Sequence, residues 1–454
     1  MFSTVNESRN PYSWRGGRSQ PMDLILLGIA GVVLLLVLIV FGVPIAFAMA
    51  FSGCVGLWLV EGPGPTMAHA ALVPWAHGRD FIFVTVPLFV LMGQLFYHAG
   101  LASDLFEGLR KWVGRIPGGI VISSVLACGG FGAVTGSSIA TVATMGTMVM
   151  PEMRRHGCDP RLATGALAAS GTLGILIPPS LIFIFYGVMT ETSIGELFIA
   201  GIIPGVITAF MFSAIIFVRC VLNPKLSPKG FRASWSDRIF SLGRLGPVIG
   251  LFVLIIGGIY LGVFTPTEAA GVGCTGVLVA ALVQKKLRLA AIGAALRTTA
   301  LISTMIFTII VGGYLFARFL AVTGLTDVLV GLIVGADLGR IGFLVFLVLL
   351  YFIMGAMLDV LGMLVLTIPF IFPVVIELGI DPVWFGVFVV IMAELALITP
   401  PIGANVFIMR RVAPDVALED IFRGVFPFVI GELLILALLI LFPDIALWLV
   451  KQME

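Results

Sequence analysis

Apolar residues run along this chain in long blocks, without the alternation of a strand or the single stripe of a half-buried helix. Leu24–Val60, Phe81–Ser103, Ile116–Pro151, Leu162–Thr190 and Leu197–Val218 contain no Asp, Glu, Lys or Arg. The same holds for Leu245–Thr267, Ala269–Gln284 and Thr298–Ala317, and Pro382–Met409 and Gly424–Pro443 are nearly as clean. About 20 such residues cross a hydrocarbon core of about 30 Å. Pro44 divides the first block into two spans, because proline breaks a helix or sits in its first turn. Only helices can cross lipid as an open chain, since every backbone group must be paired within its own segment. The pattern predicts an all-α integral membrane protein.

Composition sharpens this reading. The 454 residues are 60% hydrophobic and 11% charged, with a mean hydropathy of +1.16. Soluble domains carry about 25% charged residues, so a soluble enzyme, a nucleic-acid binder and a disordered chain are excluded. Cys54, Cys128, Cys158, Cys220 and Cys274 form no metal or disulfide spacing and read as small packing residues. His69, His77, His98 and His156 are scattered. No phosphate-binding G-x-x-x-x-G-K-[ST] loop and no protease signature occurs, so neither an ATP-driven pump nor an intramembrane protease is expected. A channel would need a continuous polar pore, which a handful of charges within spans does not supply. The first apolar run is too long for a signal peptide and lacks a cleavage site.

The punctuating residues recur. Gly157-x-Asp159-Pro160 returns as Gly379-x-Asp381-Pro382, Pro178-Pro179 as Pro400-Pro401, and Pro44 as Pro266, each 222 residues on. The division expected is an N-terminal tail at 1–21, a first repeat at 22–222, a basic linker at 223–244 and a second repeat at 245–450. Each repeat would hold about five spans. Taking the linker, with Lys225, Lys229, Arg232, Arg238 and Arg244, as cytoplasmic puts most of the other Lys and Arg on the same side. Equivalent loops then carry opposite charge. Residues 152–161 hold three Arg and 374–383 none, as expected of two inverted-topology repeats.

Two uncharged or nearly uncharged 36-residue stretches fit re-entrant helical hairpins better than two full spans. They are residues 116–151, with Thr135-Gly136-Ser137-Ser138 at the middle, and 341–376, with Gly355 and Asp359. Residues 104–115 and 326–338 read as short interfacial helices carrying these hairpins. Beside each hairpin lies a broken helix, Thr172-Leu-Gly174-Ile-Leu-Ile-Pro178-Pro179-Ser180 and Glu394 to Thr399-Pro400-Pro401-Ile-Gly403-Ala-Asn405. Paired prolines release carbonyls upstream, a hard-oxygen shell suited to Na⁺, and half-helix N-termini offer N–H groups to an anion. Interrupted segments at matching places in two halves point to a transport site at mid-membrane. Asp359 and Glu394 are expected to work there, and Glu432 and Arg318 to pack or snorkel. Glu268 in Thr265-Pro266-Thr267-Glu268 is expected to cap a helix.

These strings resemble the large membrane (permease) subunit of tripartite ATP-independent periplasmic (TRAP) transporters. The resemblance is carried by GSSIATVATMGTMVMPEMRRHGCDP (Gly136–Pro160), TLGILIPPS (Thr172–Ser180), FTPTEAAGVG (Phe264–Gly273) and TPPIGANVF (Thr399–Phe407), and covers about 24–450. It implies a non-enzymatic, Na⁺-coupled carrier of small organic acids in the bacterial inner membrane. It implies two partners, a periplasmic substrate-binding protein and a small four-span membrane subunit. It also implies an elevator mechanism, with mobile parts near 80–190 and 298–412 on a scaffold that includes 197–218 and 418–445. The Na⁺ sites implied involve Gly136, Ser137, Ser138, Thr172, Gly174 and Pro178 in one half, and Gly355, Asp359, Thr399 and Asn405 in the other. The carboxylate substrate would meet Thr135, Ser138, Ser180, Glu394, Gly403 and Asn405. A stand-alone Na⁺/dicarboxylate symporter, which needs no binding protein, is the alternative.

Overall fold

The computed structural model describes residues 21–228, 233–286, 288–335, 339–355, 358–401 and 403–453. The expected tail at 1–21, save its last residue, and Lys229 and Arg232 of the linker lie outside them. Helices are the regular elements among the described residues, with no strand. In chain order they are α1 (Pro21–Val40), α2 (Ile45–Glu61), α3 (Pro63–Gly78), α4 (Thr85–His98), α5 (Leu101–Val113), α6 (Gly119–Thr135) and α7 (Ser138–Arg155). There follow α8 (Pro160–Ser170), α9 (Leu173–Leu176), α10 (Leu181–Thr190) and α11 (Ile194–Leu222). The second half holds α12 (Trp235–Tyr260), α13 (Pro266–Val283), α14 (Leu289–Thr323), α15 (Leu325–Gly335), α16 (Gly339–Met354) and α17 (Val360–Glu377). It ends with α18 (Pro382–Ile398), α19 (Ala404–Val412), α20 (Leu418–Leu441) and a last turn, α21 (Asp444–Leu447).

Eight of the described helices are long and apolar enough to cross a membrane, or nine if α8–α9 and α10, bent by 42° at their break, count as one span. Elements begin where the punctuation lies. Asp159 and Asp381 cap α8 and α18, accepting from Leu162 N at 3.0 Å and Trp384 N at 2.8 Å. Gly157 and Gly379 precede them in the left-handed conformation, at φ 67° and 62°, which glycine adopts without a Cβ penalty. Thr265 and Glu268 form a reciprocal capping box at the start of α13, as the Thr-Pro-Thr-Glu string predicts.

Three elements differ from expectation. The linker is shorter than 223–244, because Ser234 and Asp237 form a second capping box that starts α12 at Trp235. Residues 63–78, which carry no spanning pattern, form α3, begun by Pro63 at its first position. The span expected at 298–317 is part of a 35-residue helix, α14. The interfacial helices expected near 104–115 and 326–338 are present as α5 and α15, with Asp337 outside the described residues.

Two groups of helices are welded by backbone contact at glycines. In the first, a Cβ at Gly312 of α14 would lie 2.3 Å from the Ala46 carbonyl of α2, and one at Gly53 would lie 2.8 Å from the Leu315 backbone. Cys274 of α13 donates to the Leu88 carbonyl of α4 at 2.9 Å, and the Thr85 and Thr267 hydroxyls meet at 2.6 Å. In the second group, a Cβ at Gly165 of α8 would lie 2.2 Å from the Gly424 backbone of α20. One at Gly201 of α11 would lie 2.8 Å from the Leu176 carbonyl. Between the groups, α12 faces α6 and α11 across an apolar cleft of about 590 Å³, lined by Ile122, Leu126, Phe210, Val248 and Phe252 among others.

Ion pairs gather the ends of several helices. Arg110 of α5 and Glu152 of α7, Arg154 of α7 and Asp415, and Lys286 and Asp104 of α5 are paired, and Arg161 meets Asp420 at 2.9 Å. The linker joins this face, since Asp159 N donates to Leu226 O at 2.8 Å. Arg318 reaches Glu61 at 3.6 Å with its side chain half exposed.

Gly165→Val inserts a side chain into backbone, an overpacking cost of about 1–3 kcal/mol or more. It is expected to lower the unfolding midpoint and the yield of monodisperse protein. Gly271→Ala, where nothing lies within 4 Å, is expected to leave both unchanged or improved. Thermal unfolding in detergent checks the pair.

Candidate functional site

The first hairpin is α6 and α7. Its tip turns at Gly136, with φ 61°, and Ser137 caps α7 by accepting from Ala140 N at 3.3 Å. Its counterpart is the pair α16 and α17, whose connecting residues 356–357 lie outside the described residues; there Asp359 takes the same position and accepts from Gly362 N at 3.3 Å. Each hairpin lies against one broken helix. A Cβ at Gly132 would fall 2.3 Å from Gly174 Cα, and a Cβ at Gly355 would fall 2.3 Å from Ala396 Cβ. Gly174 and Ala396 each stand four residues before the first proline of a Pro-Pro pair, so each carbonyl lacks its ladder donor. Each hairpin glycine therefore rests on the turn that proline has opened. Both Pro-Pro bonds, Pro178–Pro179 and Pro400–Pro401, are cis.

The two tips line one cavity of about 240 Å³. Gly136, Ser137, Ser138 and Ile139 come from the first hairpin, Asp359, Val360 and Leu361 from the second. Ile175, Leu181, Ile182 and Leu397 flank it from the broken helices, and Ile302, Met305 and Ile306 of α14 close it. Ser138 is buried and Asp359 is exposed.

Of the residues expected to bind Na⁺, Gly136, Ser137, Ser138 and Asp359 meet in this cavity. Pro178 and Gly174 lie at the first break and Thr399 at the second, off the cavity wall. Gly355 serves as the packing glycine described above. Thr172 is turned away, since its hydroxyl donates to Ala169 O at 2.7 Å and Glu432 Oε1 at 3.1 Å. The Thr399 hydroxyl donates to Leu395 O at 2.8 Å within its own helix. The resemblance implies that Asn405 serves the second tip, but it sits on the first. Its Nδ2 donates to Ser138 Oγ at 2.7 Å and to Ala168 O at 3.0 Å, and Ser138 Oγ lies 3.1 Å from its Oδ1. The amide thus pins the first tip to the start of α19.

Of the residues expected to meet substrate, only Ser138 lines the cavity. The Thr135 hydroxyl lies 3.4 Å from that of Thr141, and the Ser180 hydroxyl, spent on Ile175 O, caps α10. Gly403 starts α19 at φ 55°, and a Cβ there would lie 3.1 Å from Thr399 O. Glu394 is fully buried behind the second break, facing Glu432 of α20, and no hydrogen-bond partner reaches either of its oxygens among the described residues. Glu432 is likewise buried, not snorkelling.

Sequence reasoning missed the apolar wall. Ile139, Ile175, Leu181, Ile182 and Leu397 adjoin the motif residues, so their positions were available. Ile302, Met305 and Ile306 carried no signal, because only the fold brings α14 across the tips.

Long apolar helices enclosing an internal pocket with oxygen-bearing hairpin tips define a polytopic α-helical membrane protein of the carrier type. The chain belongs to the family described as the tripartite ATP-independent periplasmic transporter, DctM component, which matches residues 32–445, and it is a large permease subunit of that kind. It is 33% identical over 370 residues to the C4-dicarboxylate TRAP transporter large permease protein DctM of Pseudomonas aeruginosa, covering 81% of this chain and 86% of that one. It is 33% identical over 419 residues to the ectoine/5-hydroxyectoine TRAP transporter large permease protein UehC of Ruegeria pomeroyi, covering 91% and 96%. The fold is similar to the crystal structure of the Alcanivorax borkumensis YdaH transporter, with a TM-score of 0.56 at 15% identity, covering 94% of this chain and 98% of that one.

Asn405→Ala leaves Ser138 and the Ala168 carbonyl without this partner, a cost of about 1–3 kcal/mol for buried groups. A lowered unfolding midpoint is expected. Glu394→Gln lies outside the cavity and is expected to leave the apparent affinity for transported acid unchanged, as measured by uptake kinetics.

Proposed function

We propose that this chain is the membrane-spanning carrier of a Na⁺-coupled importer of small organic acids in the bacterial inner membrane. A periplasmic binding protein delivers the acid and a small membrane subunit completes the assembly. The observation that carries this reading is the single cavity into which both hairpin tips and both broken helices feed. Na⁺ is cargo here. The residues that suit it are Gly136, Ser137 and Ser138 at the first tip and Asp359 at the second, with carbonyls that the prolines deprive of donors at Gly174 and Ala396. Those are hard oxygen ligands, the kind that suit hard cations. The start of α7 presents N–H groups to a carboxylate on the same wall.

Two inverted repeats with re-entrant hairpins account for the matching order of elements in α1–α11 and α12–α20. The ion-paired face supports the topology, because Arg110, Arg154, Arg161, Lys286 and the linker are all assigned to the cytoplasm by the loop-charge rule. The two welded groups support an elevator whose bodies meet at Gly93 of α4, where a Cβ would lie 2.8 Å from Thr135 Cα of α6. The static frame is α1–α4 with α12–α14, the moving body is α6–α11 with α16–α20, and α5 and α15 link them. This amends the division that the resemblance implies. Backbone contact at Gly165 and Gly201 carries α20 and α11 with the broken helices, and contact at Gly312 holds α14 on the frame. An apolar cleft such as that beside α12 offers little resistance to sliding, since few polar contacts must break.

The test is uptake into proteoliposomes holding the whole transporter. Ser138→Ala or Asp359→Ala is expected to raise the Na⁺ concentration for half-maximal uptake on the order of tenfold, equivalent to about 1.4 kcal/mol, with expression intact. Unchanged Na⁺ activation removes these residues from the ion site. Uptake that persists with the binding protein omitted favours the stand-alone symporter.

A further inference from the structure

We infer that the apolar cleft beside α12 is a binding site for a phospholipid with an anionic headgroup, its acyl chains in the cleft and its phosphate on the arginines at the linker end. The inference does not depend on which solute the chain carries.

The cleft comes first. Of the side chains lining its 590 Å³, only that of Ser213 carries an oxygen or nitrogen. It opens between α11 and α12, where Phe210 is 74% and Ile249 53% exposed. Both helices are long and apolar enough to cross a membrane, so the opening faces hydrocarbon. A void there would forfeit dispersion contacts that an acyl chain supplies. Acyl chains fill the space between the two welded groups without fastening one to the other.

Charge comes second. The helices lining the cleft leave it at one end through basic residues. Arg238 lies seven residues before Leu245 on α12, and Arg219 six residues after Ser213 on α11, each about 10 Å beyond the cleft at about 1.5 Å per residue. Arg219 Nη1 and Arg238 Nε are buried, and no acceptor reaches either among the described residues. Such a group calls for an oxygen, and a guanidinium matches a phosphate in charge and shape. Arg115 and Arg244 stand exposed at the same end. The acids there are answered already. Asp237 is held in the Ser234 capping box with Lys111 near it, and Glu107 pairs with Arg110. A net positive mouth remains.

Depth comes third. Trp112 of α5 donates from Nε1 to Ser241 Oγ of α12 at 3.1 Å, closing the cleft at the basic end. The Arg238 guanidinium lies 5.1 Å from the ring centre of Trp235, which is largely exposed. Tryptophan concentrates at the boundary between hydrocarbon and headgroups, so these two rings put Arg238 at headgroup depth with the apolar cleft on the hydrocarbon side. Basic pockets between spanning helices at that depth suit anionic lipid heads. An apolar helix laid over the cleft would cover its carbon and leave the arginines unmet.

The test is native mass spectrometry of the full chain co-purified with its small membrane subunit, after equilibration in nanodiscs of equal parts phosphatidylglycerol and phosphatidylcholine. Retained phosphatidylglycerol is expected to exceed phosphatidylcholine at least tenfold. Arg219→Gln combined with Arg238→Gln is expected to lower that ratio at least tenfold, because each basic residue near an anionic headgroup is worth about fivefold. Ala209→Phe, which fills the cleft, is expected to lower retention of both lipids. Should Ala209→Phe fail to fold, Val206→Trp takes its place. Equal retention of the two lipids, or an unchanged ratio in the double variant, overturns the headgroup assignment. Retention undiminished in the filled variant overturns the cleft as the site. A cross-link from Phe210→Cys to the small subunit gives the cleft to a protein partner and overturns the lipid.

Discussion

The structure depends on one constraint, that a helix opened within hydrocarbon must have its freed backbone covered by protein. Each Pro-Pro pair opens a helix, and each opening is covered by a hairpin pressed onto it. Gly132 on Gly174 and Gly355 on Ala396 are the contact points, both so close that a Cβ on the hairpin would overlap its neighbour. Hairpin and broken helix thus cover one another. Their mutual burial gathers the tips, the freed carbonyls and two helix starts in one place.

That arrangement separates two kinds of polar residue. Thr399, Thr135 and Ser180 carry hydroxyls that look available in a list of motif positions. In the fold they return to nearby backbone or to a neighbouring hydroxyl, the usual fate of Ser and Thr in helices surrounded by apolar side chains. Ser138 is engaged by Asn405 across 267 residues of sequence. This bond ties the first tip to the start of α19, just beyond the second break. The cavity is left with little polarity of its own, which gives its few charged and amide groups more weight than they would have in water.

The welded groups show how a largely apolar chain can still distinguish rigid contact from sliding contact. Where glycines allow backbones to touch, as at Gly165–Gly424 and Gly312–Ala46, separation would lose close packing that lipid cannot replace. Where α12 faces α6 and α11 across the apolar cleft, lipid tails or other side chains can substitute. Small residues thus mark where helices touch backbone to backbone, a distinction that hydropathy alone does not draw; Gly93 of α4 makes such a contact with Thr135 of α6, joining the two groups. The family resemblance implies that α11 and α20 belong to the scaffold. Their glycines place them against the broken helices.

What the sequence determined by itself was everything that depends on local backbone chemistry. Apolar block length set the spans, Asp159, Asp381 and Thr265 set helix starts, Pro-Pro set the breaks, and Gly136 and Asp359 set the tips. Such features act on their own few residues, so their positions can be read without a partner. Tertiary structure alone decided which polar side chains remain free, that Asn405 serves the first tip, that Glu394 stands behind the site, and that α14 supplies a wall with Ile302, Met305 and Ile306. Those outcomes turn on contacts between segments far apart in the chain. A linear pattern records that a residue is apolar or can hydrogen-bond, but the partner it meets is fixed only when the helices close on one another.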